Sequence, residues 1–205
     1  MSHTIERMKK LEDQFQGLKQ TLKGIFCRFI PQISPHVTQE CIKKIGAREN
    51  QLQNIALRAT LGDYCLFHHL SQGKTPITAF IDRHISSLTD EEILALHSFQ
   101  KAKFAVLEVK ALLVQNAIAV YDLLEDEFRI LFDEGLYHHN LQPGFLIVCH
   151  LVQGEGFVMT TDAAIVIGHE TQCGRLLFKN IREIKQKDKK EDDVPKILQI
   201  VYGNL

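Results

Sequence analysis

Gly73, Lys74 and Thr75, in the stretch HHLSQGKTPIT, are the residue types that close a phosphate-binding loop. That loop needs an earlier glycine so that backbone N–H groups can turn inward and cradle phosphate oxygens. His68 stands where this glycine should be, and the preceding segment has helical rather than strand character. The stretch is therefore expected to be a turn into a helix, with Thr75 as N-cap and Pro76 at the first helical position.

Histidine is the next candidate, with ten in the chain and two adjacent pairs, His68-His69 and His138-His139. Neighbours in sequence diverge on a helix and face opposite ways on a strand, so neither pair alone chelates one ion. A metal site would have to combine His68 or His69 with His138 or His139, completed by His84 or Asp133. A metal-dependent hydrolase built on these histidines is one functional alternative. Cys149 and His150 are adjacent on an expected strand and face opposite ways, which separates the thiol from its base. Carboxylates cluster at Glu125-Asp126-Glu127 and Asp133-Glu134, both flanking an expected strand, where turns ordinarily carry charge. No catalytic residue and no cofactor are assigned: the chain lacks a nucleophile elbow, a zincin helix motif and a dinucleotide fingerprint.

The elements that would position these side chains fall into three segments. Residues 1–102 read as helix: an apolar stripe from Ile5 through Phe15 to Phe29, ended by Pro31, then helices interrupted at Gly46 and at the SQGK turn. Thr89 to Glu92 is a capping-box pattern that starts another helix. Residues 103–172 change to strand character, with two β-rich runs in 103–124, a third at EFRILFD, and two more in 144–161 around Gln153-Gly-Glu-Gly156. Residues 173–205 return to helix on either side of the charged run KQKDKKEDD. The expected fold class is α+β: an N-terminal helical region, a small antiparallel barrel-like sheet, and C-terminal helices, with the three segments allowed to share one domain.

Lys+Arg 24 against Asp+Glu 25 gives a net charge of -1, which supplies no field for a polyanion. Exposed rings in the strand region, Tyr121, Phe128 and Phe132 with Arg129 among them, keep nucleic-acid binding through the barrel as a second alternative. The apolar runs are far shorter than the roughly 20 residues that span a bilayer, and the N-terminal residues have no leader-like apolar core. Five scattered cysteines fit reduced thiols in the cytoplasm.

Residues 50–165 resemble the helical-plus-barrel region of bacterial proteins associated with the SEC-C zinc motif. The likeness rests on Gly73, Lys74, Thr75, Pro76 and Phe80, then Leu88, Glu91 and Glu92, then Phe104, Val106 and Val109. It continues in Asp122, Leu123 and Leu124 and in Leu141, Pro143 and Gly144. The zinc knuckle itself needs closely spaced cysteines, which this chain lacks, so zinc is not implied. Phe145 also departs from the pattern, as does His150, which stands where an arginine is usual. The resemblance implies a helical-plus-barrel fold and lends no catalytic residue. The expected function is a non-catalytic protein-binding or adaptor module, with the N-terminal amphipathic helix as partner or self-association surface.

Overall fold

The computed structural model describes residues 2–28, 33–114, 116–186 and 193–205. Five helices come first: α1 (Ser2–Arg28), α2 (Pro35–Ile45), α3 (Ile55–His68), α4 (Pro76–His84) and α5 (Asp90–Gln100). Their starts are written locally in the sequence. Ser34 accepts from the Val37 amide, Asn54 from those of Ala56 and Leu57, and Thr75 from that of Thr78. At α5 the capping box is reciprocal: Glu92 N–H donates to Thr89 Oγ1 at 3.3 Å and Thr89 N–H to Glu92 Oε2 at 2.9 Å. Gly46 ends α2 with a left-handed φ of 68°. Pro31 and most of KQKDKKEDD lie outside the described residues.

Five strands follow: β1 (Lys103–Leu112), β2 (Ala117–Asp122), β3 (Glu127–Phe132), β4 (Leu146–Gln153) and β5 (Val158–Ile167). A single helical turn, α6 (Glu134–Tyr137), intervenes between β3 and β4. It escapes the sequence pattern because its four residues are too few for a period, and Asp133 caps it. Two helices, α7 (Gln172–Gln186) and α8 (Asp193–Asn204), complete the described chain.

The strand order is β1-β2-β3-β5-β4, and β4 also pairs with β1, so the ladder closes on itself. The sheet is mixed, which corrects the antiparallel expectation: β3 and β5 run parallel, pairing Leu131 with Val158 and Phe132 with Met159. The reason is one of parity. Strands in a closed ring can alternate up and down throughout only if their number is even, and five strands force one parallel seam.

Ala105, Leu107, Val120, Leu131, Ile147 and Cys149 fill the space enclosed by the sheet. Two further apolar layers lie outside it. One joins α2, α3, α7 and α8 to β1, β4 and β5; the other joins α1, α4 and α5 to β2, β3 and the β4–β5 turn. Residues from all three sequence segments therefore share the first of these layers. The α1 stripe is used within the fold: Phe15 is 1% exposed, stacks on Phe132 at 5.6 Å and meets the edge of Phe157 at 6.4 Å. Burying such a ring contributes about 2 kcal/mol. Every residue of β4 up to Val152 is buried on both faces, which explains the continuous run LIVCHLV. Among the described residues, no helix is long and apolar enough to cross a membrane.

Candidate functional site

The regular pairing of β4 with β5 breaks at one place. Cys149 faces Ala164 and Leu151 faces Thr160, so a single residue of β4, His150, stands opposite three of β5, Thr161 to Ala163. This bulge explains why β5 continues past residue 161, where the apolar alternation is lost. Asp162 takes a left-handed φ of 66°, unusual for a residue other than glycine, and its amide donates to Thr160 Oγ1 at 3.2 Å. Bulges re-aim side chains and concentrate beside functional sites.

Here the bulge turns Thr161 toward α3, where its hydroxyl donates to Asp63 Oδ2. Asp63 is 6% exposed. The same carboxylate oxygen stands 3.5 Å from His150 Nδ1, which has no hydrogen-bond partner of good geometry. His150 is wholly buried, and its ring lies 5.0 Å from that of Phe67 and 5.4 Å from that of Phe104. Its Nε2 is 2.9 Å from Nε2 of His68, whose own ring stacks on Tyr64.

Across the 2.9 Å contact one imidazole donates through Nε2–H and the other accepts; with His68 as donor, His150 carries its proton on Nδ1, which faces Asp63 at 3.5 Å without a hydrogen bond. Burial, then the neighbouring His150 and Lys44, pull the His68 pKa down to about 4, so this ring is neutral near pH 7. The Asp63–His150 pair has the form of a carboxylate-oriented general base. The lone pair such a base would offer to a substrate is directed at His68, whose own ring is partly buried and lines a second cavity beside Lys44 and Tyr64.

Asp63 and Thr161 also line a cleft of about 440 Å³ between α1, α3, α5 and the bulge. Its apolar walls include Phe26, Phe99 and Met159, and Lys19 and Lys23 stand on the α1 side. Lys19 is 3.4 Å from Glu134 and 3.7 Å from Asp162. A concave apolar site with a few convergent polar groups is the usual form of a small-molecule pocket.

Of the candidate ligands His68, His69, His84, His138 and His139, only His68 takes part in this arrangement. His69 lies 3.7 Å from Glu40, His84 packs on the Phe80 ring, and His138 and His139 follow α6, with His138 against Tyr137. Among the described residues, no three His, Cys, Asp or Glu side chains gather as a metal-ligand set. Asp133 caps α6 and accepts from Thr160. Cys149 is enclosed by the sheet, and burial, then Asp133, Asp63 and Asp122, push its thiol well above the ordinary value. Gly73 has φ 77° in a turn closed by Ser71 and Lys74, and Lys74 pairs with Asp82 at 2.6 Å.

Motif reading misses Asp63, and it weighs His150 only beside Cys149, not with Asp63 or His68. Their one signal is polarity out of place: a carboxylate within the helical run IALRATLGDYCLFH and an imidazole amid LIVCHLV.

Fold and site together define an α+β protein in which helices cover a five-stranded mixed sheet and frame a mixed polar and apolar cleft. The chain belongs to a family of unknown function (DUF7986), whose model matches residues 8–203. No curated protein and no solved structure matches it.

Proposed function

We propose that the protein is a non-catalytic binding module whose ligand enters the cleft beside the β5 bulge. The observation that carries this reading is the bulge itself, which places Thr161 and Asp63 at the cleft while His150 and His68 are directed at each other. The ligand we infer is a small amphipathic acid, its apolar body against Phe26, Phe99 and Met159 and its anionic group toward Lys23, the cations Lys19 and Lys23 offsetting the Asp63 and Asp162 carboxylates that share the lining. An adaptor role through α1 would use its outer face, Glu6, Lys9, Lys10 and Asp13, since the apolar stripe is buried. The five free cysteines are in keeping with a cytoplasmic protein.

8-Anilinonaphthalene-1-sulfonate is a suitable probe, having an aromatic body and one anionic group. Its fluorescence should saturate at one molecule per chain and fall on competition with decanoate. K23E should weaken binding about tenfold, equivalent to about 1.4 kcal/mol. A response that is not saturable, or is unchanged in K23E, would contradict the proposal.

A second reading rests on a different face. Tyr121 and Phe128 are cross-strand partners on β2 and β3 with ring centroids 4.9 Å apart; Phe128 is 74% exposed, and Lys110 Nζ lies 5.6 Å from the Tyr121 centroid. A closed five-stranded sheet in this order resembles the OB barrel, whose β2–β3 face binds oligonucleotides. Salt-dependent retardation of a single-stranded oligonucleotide, lost in F128A, would support this reading; no retardation at low salt would end it.

A further inference from the structure

The second cavity, of about 660 Å³, lies between α2 and the end of α3 and shares no lining residue with the bulge cleft. Its volume is that of a small-molecule pocket. Lys43 and Lys44 of α2 line it, and neither has a carboxylate partner among the described residues. Glu40 lines it too, but that carboxylate stands 3.7 Å from His69 Nδ1 and 3.8 Å from His36 Nδ1. Two ammonium groups against one occupied carboxylate make the wall basic.

His68 is the fixed polar group of this wall. Its ring stacks on that of Tyr64 at 5.2 Å and meets buried His150 through Nε2 at 2.9 Å. Its Nδ1 has no hydrogen-bond partner among the described residues and, unlike Nδ1 of His150, is not sealed from solvent. With Nε2–H given to His150, the free Nδ1 carries a lone pair and needs a donor. Burial first, then His150 and Lys44, keep the ring neutral near pH 7. The cavity therefore presents two cations and one acceptor on a held ring.

We propose that this cavity binds a small-molecule phosphate monoester in its singly protonated form, the P–OH donating to His68 Nδ1 and the other oxygens accepting from Lys43 and Lys44. A phosphate monoester keeps its last proton up to about pH 6, so this form is available near neutrality. A sulfate monoester has the same shape but no hydroxyl, and would set a negative oxygen against the Nδ1 lone pair. In the phosphate complex one proton is shared between ligand and imidazole, so above pH 6 binding takes up a proton and weakens as pH rises. The remaining titratable groups around His68 are Glu40 and the Cys41 thiol on α2, His69 on α3, and His150 of β4 with Asp63 behind it. Their charges act alike on phosphate and sulfate esters, so comparing the two isolates the hydroxyl.

The test titrates the isotopically labelled full-length protein with phenyl phosphate and with phenyl sulfate, following amide and histidine ring-nitrogen resonances. Phenyl phosphate should saturate at one molecule per chain and shift the amides of Lys43, Lys44 and Leu70 and the Nδ1 resonance of His68. Its affinity at pH 6 should exceed both its affinity at pH 8 and that of phenyl sulfate at pH 6 by about tenfold or more. K44E, a change at an exposed position, should weaken it about tenfold while the rest of the amide spectrum stays that of the parent. Mg-ATP should not compete, because its terminal oxygens are taken up by the metal. Equal affinity for the two esters, equal affinity at pH 6 and pH 8, or unchanged binding in K44E would overturn the proposal. So would shifts centred on Lys23 and Thr161 in the bulge cleft, or a response that does not saturate.

Discussion

His68 and His150 meet Nε2 to Nε2 at 2.9 Å, joining the last residue of α3 to the one β4 residue that faces the β5 bulge. With Asp63 behind His150, the contact makes a buried polar line through an apolar layer. His150 Nδ1, 3.5 Å from Asp63, makes no hydrogen bond, so what the line contributes rests on the contact with His68.

Replacing His150 by leucine should therefore destabilise the protein although it adds an apolar side chain to a buried site. His68 and Asp63 would each lose a neighbour, and a cost of about 2 kcal/mol is expected from the stranded groups. Urea unfolding measures it. A double-mutant cycle with H68F should show coupling, the pair costing less than the sum of the single changes.

Stability should also depend on pH through His68. The unfolded chain takes up the His68 proton near its ordinary pKa of 6.5, and the folded chain only near about 4. Between these values the unfolded state binds more protons, so this contribution falls as pH decreases from 6.5 and is fully lost below about 4. The difference is on the order of 3 kcal/mol. Urea midpoints of the parent and H68F from pH 7 to pH 4 should diverge in this sense, the parent losing more. Parallel curves would contradict it.

Asp162 holds the bulge in a backbone conformation that glycine adopts freely and β-branched residues resist. D162G should keep the parent's stability within about 1 kcal/mol, as relief of strain offsets the lost Lys19 contact, whereas D162V should cost about 2 kcal/mol. Thermal unfolding of the two variants checks this. Equal losses would mean that φ at this position is unimportant.

Lys74 should have no role in nucleotide binding, since Gly73 turns the chain between helices and Lys74 pairs with Asp82 on the surface. K74A should change stability by no more than about 0.5 kcal/mol. Calorimetric titration with Mg-ATP should give no binding heat in either protein; stoichiometric heat in the parent that K74A abolishes would reverse this reading.

The sequence carried what depends on neighbours. Ser34, Thr75 and Thr89 mark helix starts because a cap and its amide lie within three residues of each other, and the strands show because alternation is local. The parallel seam was implicit in a count of five strands once the ring closes. The bulge was not legible, because Asp162 rather than a glycine takes the positive φ. Asp63 and His150 lie far apart in sequence, and only the packing of α3 on β5 brings them together. The histidine pairs drew attention for their type and adjacency, but each member after His68 follows its own local neighbours.

The most direct test of the binding cleft is amide chemical-shift mapping of the isotopically labelled protein titrated with 8-anilinonaphthalene-1-sulfonate. The largest shifts should fall on Lys23, Asp63, Thr161 and Asp162, with Tyr121 and Phe128 unmoved. Shifts centred on Tyr121 and Phe128, or spread without a focus, would contradict a ligand site at the β5 bulge.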